Sequence, residues 1–495
     1  MDNDSDVEYS KDATIHAFAI DTIGYGTTYK FTIDQIGLRD TALIYNADSL
    51  PVHADTIIDR ILVKTFTTAS GVVTMKTQDG KNDSLISMAD SMDLRKPLKV
   101  TVWSTEAYAG ISNIKKNYRI EVRVHKHDPD SLRWNNLNAG IDNSMDGNQQ
   151  SVLYHNNILT YGLAGGNLKV YTASVNAPAT WTGNGIVMAG GNIVTTKVTS
   201  LVVFKDVLYA TFEGNNQGYT STDGLTWTPS SLTGAVRFLA PIPNADGTAD
   251  AKLSYLKAGA ANGGYTFETS ENGTSEDYAG AEKEGLSAEE FQQFPGSITS
   301  YTNFKRPNGT KGTMLIGDDA PMPTLVGDSL VSLPWAYDED KNDQGQAITR
   351  WVPLQPGSTL SYCPQMNHPT LIYYNDKFYL FGSGFEGAYI STSGRDWKKD
   401  PKFGFPQYAW GDQTVASTPV PEFRGRHYYS MVQNPANGYL IFMFGKEDVS
   451  FKETVTDPED KTRSIVVREY KHDSEVWTAR LNQIWFNVAK GIPVN

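Results

Sequence analysis

Apolar and polar positions alternate in short runs along most of the 495-residue chain, and this period of two predicts β-strands. The clearest runs occur twice: residues 218–227 read GYTSTDGLTW and residues 388–397 read AYISTSGRDW. The agreement continues upstream at the same spacing, where residues 201–209 align with residues 371–379. Each copy predicts an apolar strand, a polar turn, an aromatic strand and a Ser/Asp/Gly turn that leads to a tryptophan. This is the four-stranded antiparallel unit of a β-propeller.

Weaker versions of the same unit fill the remainder of the C-terminal part of the chain. They end near Trp181, Gly273, Trp351 and Trp485. We therefore predict that residues 148–495 form a six-bladed β-propeller. The Ser/Asp/Gly turns are predicted to be structural, because their side-chain oxygens can bind the backbone of their own turn.

The N-terminal part of the chain has a different organisation. Short strands at a spacing of about ten residues fill residues 13–127 and predict an immunoglobulin-like β-sandwich. Residues 128–147 contain Pro129 and lack the pattern, so they are predicted to be a linker. Residues 1–12 are acidic and are predicted to be a disordered tether. The predicted fold class is thus all-β, a sandwich followed by a propeller.

One polar and aromatic cluster lies just before the innermost strand of the sixth repeat. In a propeller such a segment opens onto the funnel at one end of the axis, where ligands usually bind. Lys197, Arg237 and His368 hold the corresponding positions in other repeats. A cationic, aromatic funnel would suit an anionic or carbohydrate ligand, whereas the alternative is that these residues only satisfy one another. The candidate residues of the sixth repeat are Tyr408, Trp410, Arg424, Arg426 and His427.

The sequence contains no convincing catalytic or metal-binding motif. No Gly-x-Ser-x-Gly elbow is placed at a strand-to-helix turn. Residues 338–342 resemble the start of an EF-hand loop, but Asp343 replaces the required glycine and Thr349 replaces the bidentate glutamate. A solvated loop is the better prediction there, and we expect no metal and no cofactor. Cys363 is the only cysteine, so a disulfide within the chain is excluded.

The overall charge and hydropathy restrict the partners. The net charge of −13 argues against nucleic acid, because phosphate neutralisation needs basic side chains. No stretch approaches the roughly 20 apolar residues of a membrane-spanning helix. We therefore expect a monomer that binds neither nucleic acid nor, through its own chain, the bilayer.

The whole layout resembles a family of two-domain lipoproteins of unknown function from gut Bacteroidota. The most specific phrases are NADSLP at residues 46–51 and YRIEVRVH at residues 118–125, the latter followed by DPDSLRW at residues 128–134. The hairpins also resemble kelch repeats and shortened Asp-boxes. The resemblance implies a leader and a lipidated cysteine before Met1, and hence the outer membrane or cell surface, otherwise the periplasm. It implies no activity that could be assigned to a residue.

These observations favour a non-catalytic envelope protein whose propeller funnel recognises a glycan or a protein partner. The alternative is a glycoside hydrolase or lyase that uses carboxylates in the funnel. Two carboxyl groups about 5–10 Å apart in an open pocket would favour hydrolysis. A flat or aromatic-lined funnel would favour binding.

Overall fold

The computed structural model contains two compact units, residues 132–481 and residues 1–131 together with 482–495. The structure describes residues 8–21, 29–38, 41–46, 49–50, 54–68, 72–76, 81, 83–86, 91–124, 132–145, 147–259, 264–277, 285–306, 309–341, 343, 345, 347–374, 376–401, 403–408, 420–421, 423, 426–457, 459–481, 486–487 and 492–493. No helix in these ranges is long and apolar enough to cross a membrane.

The N-terminal unit is built from short strands, as the alternating sequence predicts. It also has one short α-helix, α1 (Thr105–Tyr108), and 3-10 turns at Ala54–Thr56 and Ile58–Arg60. Its strands are β1 (Ile15–Ile20), β2 (Tyr29–Lys30), β3 (Thr32–Leu38), β4 (Thr41–Tyr45), β5 (Ile61–Thr68), β6 (Val72–Lys76), β7 (Asp83–Leu85), β8 (Ser91–Met92), β9 (Leu98–Trp103) and β10 (Lys115–Glu121).

These strands form two sheets around one apolar core. The sheet orders are β2-β1-β5-β8 and β3-β4-β10-β9-β6-β7, and β10 runs parallel to β4. Both sheets bury alternate residues in the same cluster, for example Phe18 on β1 and Tyr118 on β10. Burial of one face of each sheet accounts for the period of two in this part of the sequence.

The start of this unit differs from the predicted tether. Ser10 accepts a hydrogen bond from the backbone N–H of Glu106, and its own N–H donates to the hydroxyl of Thr105. Asp12 accepts from the backbone N–H of Thr14 at 2.7 Å. Because these bonds fix the backbone, residues 10–12 belong to the folded unit; residues 1–7 lie outside the described ranges.

The second unit is almost entirely strands. It also contains a 3-10 turn at Glu290–Gln293, which Ser287 caps. Its strands are β11 (Leu132–Asn136), β12 (Gln150–Tyr154), β13 (Asn157–Ala164), β14 (Asn167–Ser174), β15 (Ala177–Gly185), β16 (Val187–Met188), β17 (Val198–Phe204), β18 (Val207–Phe212), β19 (Tyr219–Ser221), β20 (Thr226–Pro229), β21 (Ala235–Pro243), β22 (Asp250–Ala258), β23 (Tyr265–Ser270), β24 (Gly285–Leu286), β25 (Ser297–Lys305), β26 (Lys311–Asp318), β27 (Thr324–Val326), β28 (Ser329–Val331), β29 (Trp335–Lys341), β30 (Ala347–Pro353), β31 (Thr370–Tyr374), β32 (Lys377–Phe381), β33 (Ala388–Ser391), β34 (Lys398–Asp400), β35 (Gln407–Tyr408), β36 (Val420–Pro421), β37 (Tyr429–Gln433), β38 (Leu440–Phe444), β39 (Glu447–Thr456), β40 (Ser464–His472) and β41 (Glu475–Leu481). The last two strands of the chain, β42 (Phe486–Asn487) and β43 (Ile492–Pro493), pair with each other and group with the first unit.

Most strands of the second unit form sheets of four or five strands. In the ranges described, these sheets have the orders β12-β13-β14-β15, β16-β20-β19-β18-β17, β21-β22-β23-β24, β25-β26-β29-β30, β31-β32-β33-β34 and β11-β41-β38-β37. The pairs β27–β28, β35–β36 and β39–β40 are separate hairpins. The order within each main sheet follows the chain with two exceptions. Strand β16 pairs parallel with β20, at the edge opposite β17, and the earliest strand, β11, joins the last sheet.

The innermost strands β12, β17, β21, β25 and β31 lie next to one another in this order around an axis, and β37 lies next to β12. The hydroxyls of Thr370 on β31 and Tyr429 on β37 are 2.7 Å apart. Short polar side chains link these strands. The Ser200 hydroxyl accepts from the backbone N–H of Phe238, and the Ser300 hydroxyl accepts from that of Leu371. The last innermost strand returns to the first, where the hydroxyls of Ser151 and Ser430 are 2.6 Å apart.

Strand β11 closes this circle and corrects the predicted linker. It pairs antiparallel with β41, in the register Leu132 with Leu481. Trp134 on this strand packs against the rings of Phe423 and Phe442, at 5.0 and 4.9 Å between centroids. The pairing partner of β11 comes from the far end of the unit, so no neighbouring turn or repeat in the sequence predicted this strand. The unit begins at residue 132, whereas the propeller was predicted to begin at residue 148.

The repeated turns have the predicted chemistry. The Ser221 hydroxyl accepts from the backbone N–H of Gly224, and Asp223 accepts from the next two N–H groups at 2.7 and 2.8 Å. Ser391 and Gly394 repeat this bond at 2.9 Å. The third repeat does the same with Ser270, Asn272 and Gly273. These side chains are therefore committed to their own turns.

Residues 338–341, which were predicted to lie in a solvated loop, belong to a strand; residue 342 lies outside the described ranges. Residues Trp335–Lys341 form β29 and pair with β30, where Asp338 lies opposite Arg350. Arg350 Nε and Nη2 both donate to Asp338 Oδ2, at 2.9 and 2.7 Å. No group of three or more His, Cys, Asp or Glu side chains able to hold a metal occurs in the parts of the chain described above.

Candidate functional site

A cavity of about 210 Å3 opens where the chain leads into several innermost strands. It is bounded by the segments before β12, β31 and β37 and by the ends of β26 and β32. This is the end of the axis at which the sequence predicted a funnel. We call it the axial mouth, and its lining residues are Asn148, Gln149, Asp318, Asp319, Asn367, His368, Ser383, His427, Tyr428 and Tyr429.

Asp319 is the centre of a charged network at the axial mouth. Its Oδ2 accepts from Lys197 Nζ at 2.6 Å and from the Ser297 hydroxyl at 3.0 Å. Glu213 lies 3.7 Å from the same ammonium group. Burial raises the pKa of Asp319, but the hydrogen bond and charge of Lys197 outweigh it, and the net shift is downward. Two carboxylates thus neutralise Lys197, and Asp319 is ionised at neutral pH.

Asp318 has the opposite environment. Its Oδ2 accepts from the backbone N–H of His368 at 2.8 Å. Burial and the adjacent charge of Asp319 raise its pKa to about 6. The two neighbouring carboxyl groups therefore differ in protonation behaviour, because Asp318 is more deeply buried and only Asp319 has a hydrogen bond from Lys197.

His368 forms the floor of the axial mouth. Its backbone has a φ of 49°, and its carbonyl accepts from the Tyr429 hydroxyl at 2.8 Å. The Tyr429 ring lies edge-on to the imidazole at 5.2 Å. Burial and the charge of Lys197 lower the pKa of His368 to about 4, so the imidazole is neutral at pH 7.

His427 is the most exposed predicted residue at this end, with 54% of its side chain accessible. Its Nδ1 lies 3.0 Å from Glu447 Oε2. The buried Glu447 also accepts from the backbone N–H groups of His427 and Tyr428. Glu447 therefore fixes this segment from behind and leaves the imidazole facing the axial mouth.

Two of the predicted arginines are engaged inside the protein. Arg237 donates to the carbonyl of Pro295 at 2.6 Å, and burial lowers its pKa to about 10. Arg426 is 3% exposed, donates to Glu475 Oε2 at 2.6 Å and lies over the Phe444 ring. Neither guanidinium is presented to a ligand, so the expected cationic funnel is not what the described residues form.

The remaining predicted residues are less fully described. Trp410 and Arg424 lie outside the described residues. For Tyr408 the structure gives only the backbone, which pairs with Val420 in the β35–β36 hairpin. The structure therefore brings together Lys197, His368 and His427 at the axial mouth.

The sequence analysis missed the two aspartates. Asp318 and Asp319 directly follow Gly317, at the end of the second strand of the fourth repeat. Glu213 and Ser383 stand at the equivalent places after β18 and β32. A polar residue directly after an aromatic or apolar strand was thus a repeated signal that could have located them.

Comparison with solved structures finds several folds of similar kind at low identity. A protein of unknown function from Bacteroides thetaiotaomicron is 10% identical with a TM-score of 0.34, over 85% of this chain and 94% of its own. A putative glucose dehydrogenase from Thermus thermophilus is 12% identical with a TM-score of 0.36, over 71% and 100%. A thermostable family-43 glycoside hydrolase is 11% identical with a TM-score of 0.30, over 73% and 97%. At these values the likenesses carry no argument about function.

Comparison with curated proteins gives no match. Two family descriptions match in sequence, and together they cover most of the chain. The N-terminal domain of DUF6242, a domain of unknown function, matches residues 3–122, and the DUF6242 beta propeller domain matches residues 128–489. The second match begins before β11, in agreement with the strand that closes the circle of sheets. The chain is all-β, contains a β-propeller domain and belongs to the DUF6242 family.

Proposed function

We propose that the propeller domain is a non-catalytic binding module whose axial mouth recognises hydroxyl groups of a glycan. The observation that carries the proposal is the pair of carboxylates, Asp318 and Asp319, at a small polar cavity. A carboxylate has about four acceptor sites, and the hydrogen bonds from His368 and from Lys197 and Ser297 use only part of this capacity. Paired sugar hydroxyls are donors that such oxygens can accept.

The state of the cations favours a neutral glycan over an anionic one. Lys197 is balanced by Asp319 and Glu213, and the guanidinium groups of Arg237 and Arg426 bind within the protein. A negatively charged ligand would meet the carboxylates, while the three described cations named above already have partners within the protein. A mouth of about 210 Å3 also suits one sugar unit better than a protein surface.

The test is binding by the full chain to a panel of neutral glycans, followed by calorimetry on those retained. Asp318→Asn and Asp319→Asn should each weaken binding about tenfold or more, because a charge-assisted hydrogen bond contributes about 1.5–3 kcal/mol. Asp246→Asn, in an exposed turn of the same unit where Asp246 holds only Thr248, is the matched control. Unchanged affinity in both mouth variants would exclude the axial mouth as the binding site.

A glycoside hydrolase is the second candidate, supported by one observation. The pKa of Asp318 is raised to about 6 while that of Asp319 is lowered, a division that suits a general acid beside a carboxylate that stays ionised. In that case wild-type protein should release reducing ends from a retained glycan, and Asp318→Asn should abolish the release. Binding without release would support the module.

We further propose the finer architecture and location that the resemblance implies. The sheets of the second unit would be the blades of a six-bladed, kelch-like propeller, and the N-terminal unit an immunoglobulin-like spacer. The protein would be a monomer, held at the outer membrane or cell surface by a lipid anchor that precedes this sequence. The acidic N-terminus and the two-sheet core of the first unit support this arrangement. Extraction of the native precursor only by detergent would agree with the anchor.

A further inference from the structure

A second cavity, of about 420 Å3, runs along the axis between the innermost strands. It begins at His368, which it shares with the axial mouth, and extends to Asn303 and Gln433 at the opposite ends of their strands. We call it the axial channel. Because residues along the length of the innermost strands line it, it offers binding surface that the axial mouth does not.

A side chain crosses the axis between the two cavities. The amide Nε2 of Gln150, on β12, donates to the carbonyl of Ile298, on β25, at 3.0 Å. These strands belong to the first and fourth sheets of the circle, and Gln150 is 8% exposed. This hydrogen bond narrows the passage between the axial mouth and the axial channel. A ligand of the axial channel would therefore enter from the face opposite the axial mouth.

The axial channel contains one charged side chain that has no counter-charge among the described residues. Asp250 is the only formally charged residue among its described lining residues, since the other titratable group in the wall, His368, is neutral at pH 7. Within the described part of the chain, the Asp250 carboxylate makes no hydrogen bond or ion pair. Asp250 is exposed to solvent, and partial burial against the channel wall raises its pKa. A cation that approaches the Asp250 carboxylate therefore stabilises its ionised form.

Tyr301 provides a second polar group beside this carboxylate. Tyr301 and Asp250 line the same channel, and burial and the charge of Asp250 raise the pKa of the Tyr301 hydroxyl. No described residue forms a hydrogen bond with that hydroxyl. The neighbouring wall is apolar and is formed by Leu201, Val203 and Met431. The channel thus combines an anionic acceptor, a hydroxyl and an apolar surface.

We infer that the axial channel binds a primary ammonium group carried on a short aliphatic or sugar-sized body, with Asp250 as its counter-ion and Tyr301 beside it. The ammonium would donate to the carboxylate, and its carbon chain would pack on the apolar wall. A carboxylate with no other partner selects a cation over a neutral isostere. This inference goes beyond the proposed function, because it concerns a different cavity and ligand class.

The test uses the full chain and n-butylammonium, with n-butanol as the uncharged isostere, in ligand-observed saturation-transfer NMR at pH 7. We expect a signal for the ammonium and about a tenfold weaker affinity for the alcohol. Asp250→Asn should reduce ammonium affinity by the same factor. Asp338→Asn should not, because Asp338 pairs with Arg350 and is not among the lining residues of the channel. Equal binding of amine and alcohol to wild-type protein, or full binding to a folded Asp250→Asn variant, would overturn the inference.

Glycan affinity, measured on the same variants, distinguishes an ammonium site in the axial channel from one in the axial mouth. Asp250→Asn should leave glycan affinity unchanged, and Asp318→Asn should leave ammonium affinity unchanged. If Asp318→Asn abolished ammonium binding in a folded protein, the amine would occupy the axial mouth and the channel site would be rejected. Failure of glycan binding alone would leave the ammonium result intact.

Discussion

At the scale of single residues, adjacent side chains at the axial mouth have different environments and opposite pKa shifts. Asp318 and Asp319 differ by one position, yet the pKa of the first is raised and that of the second is lowered. The difference has two causes: burial is the largest effect on Asp318, whereas the more exposed Asp319 has a direct hydrogen bond from Lys197. These opposite pKa shifts predict that the two carboxyl groups change the free energy of unfolding with pH in opposite directions.

The first prediction concerns the pH dependence of Asp318. Its carboxyl has a pKa of about 6 in the folded state against 3.8 in a model peptide. Its contribution to the free energy of unfolding therefore falls as pH rises from about 4 to about 6. Asp318→Asn removes this titration. The free energy of unfolding of the variant, measured relative to that of wild type, should therefore rise by on the order of 1–2 kcal/mol between pH 4 and pH 7. This value is already reduced to allow for the contact of the carboxyl group with solvent. Thermal unfolding at several pH values measures it.

Asp319→Asn is the matched control with the opposite sign. The pKa of Asp319 is lowered in the folded state, so its stabilising contribution is present at neutral pH and is lost as pH falls below about 4. This variant should be less stable than wild type at pH 7, with a difference that shrinks in acid. Parallel pH profiles for the two variants would contradict the assigned environments.

At the scale of structural elements, the repeated turns join one sheet to the next. The Tyr161 hydroxyl, on β13, donates to the carbonyl of Gly224 in the second sheet at 2.9 Å. Tyr209, on β18, makes the corresponding bond to Gly273 in the third sheet at 3.1 Å. The Ser/Asp/Gly turn is thus both a tight bend and the acceptor for a neighbouring sheet.

The second prediction is that Gly224→Ala destabilises the protein more than its backbone conformation requires. Gly224 has a φ of 75°, and an added Cβ would lie 2.9 Å from Tyr161 Oη and 3.0 Å from Leu159 Cδ1. We expect a loss of about 2–4 kcal/mol in the free energy of unfolding, from strain and overpacking together. Chemical denaturation measures it.

Gly214→Ala provides the control for backbone strain alone. Gly214 has a φ of 73°, and no atom lies within 4 Å of an added Cβ. Its replacement should cost about 1–2 kcal/mol. Equal losses at both positions would show that the contact between sheets contributes nothing.

At the scale of the whole molecule, the circle of sheets depends on a strand from the start of the unit. Strand β11 pairs with β41, and Trp134 inserts among the aromatic rings of the last two sheets. Its indole N–H donates to the carbonyl of Gly404 at 2.8 Å. The residues that precede the first sheet therefore hold the last one.

The third prediction is that Trp134→Ala opens this closure. It should lower the free energy of unfolding by about 3 kcal/mol or more and speed hydrogen exchange in β41, because the ring packs on Phe423 and Phe442. Trp181→Ala, on the outer strand β15 of the first sheet, is the control. Unchanged exchange in β41 after Trp134→Ala would contradict a closing role.

The sequence by itself determined the strands, the repeated turns and the two-part organisation. These follow from local chemistry: alternating side chains bury one face of a strand, and Ser221, Asp223 and Gly224 bind within four residues. The family match agrees with the propeller over residues 128–489. Local sequence patterns did not predict the strand Leu132–Asn136, because its pairing partner lies hundreds of residues away and no turn connects the two strands.

Only the tertiary structure decided which side chains face a ligand. Arg426 and His427 are neighbours, yet one is buried against Glu475 and the other is exposed at the axial mouth. Asp318 and Asp250 acquire their environments from sheets distant in sequence. Burial and ion pairing depend on the partners that folding brings within a few ångströms, and the order of residues along the chain does not contain those distances.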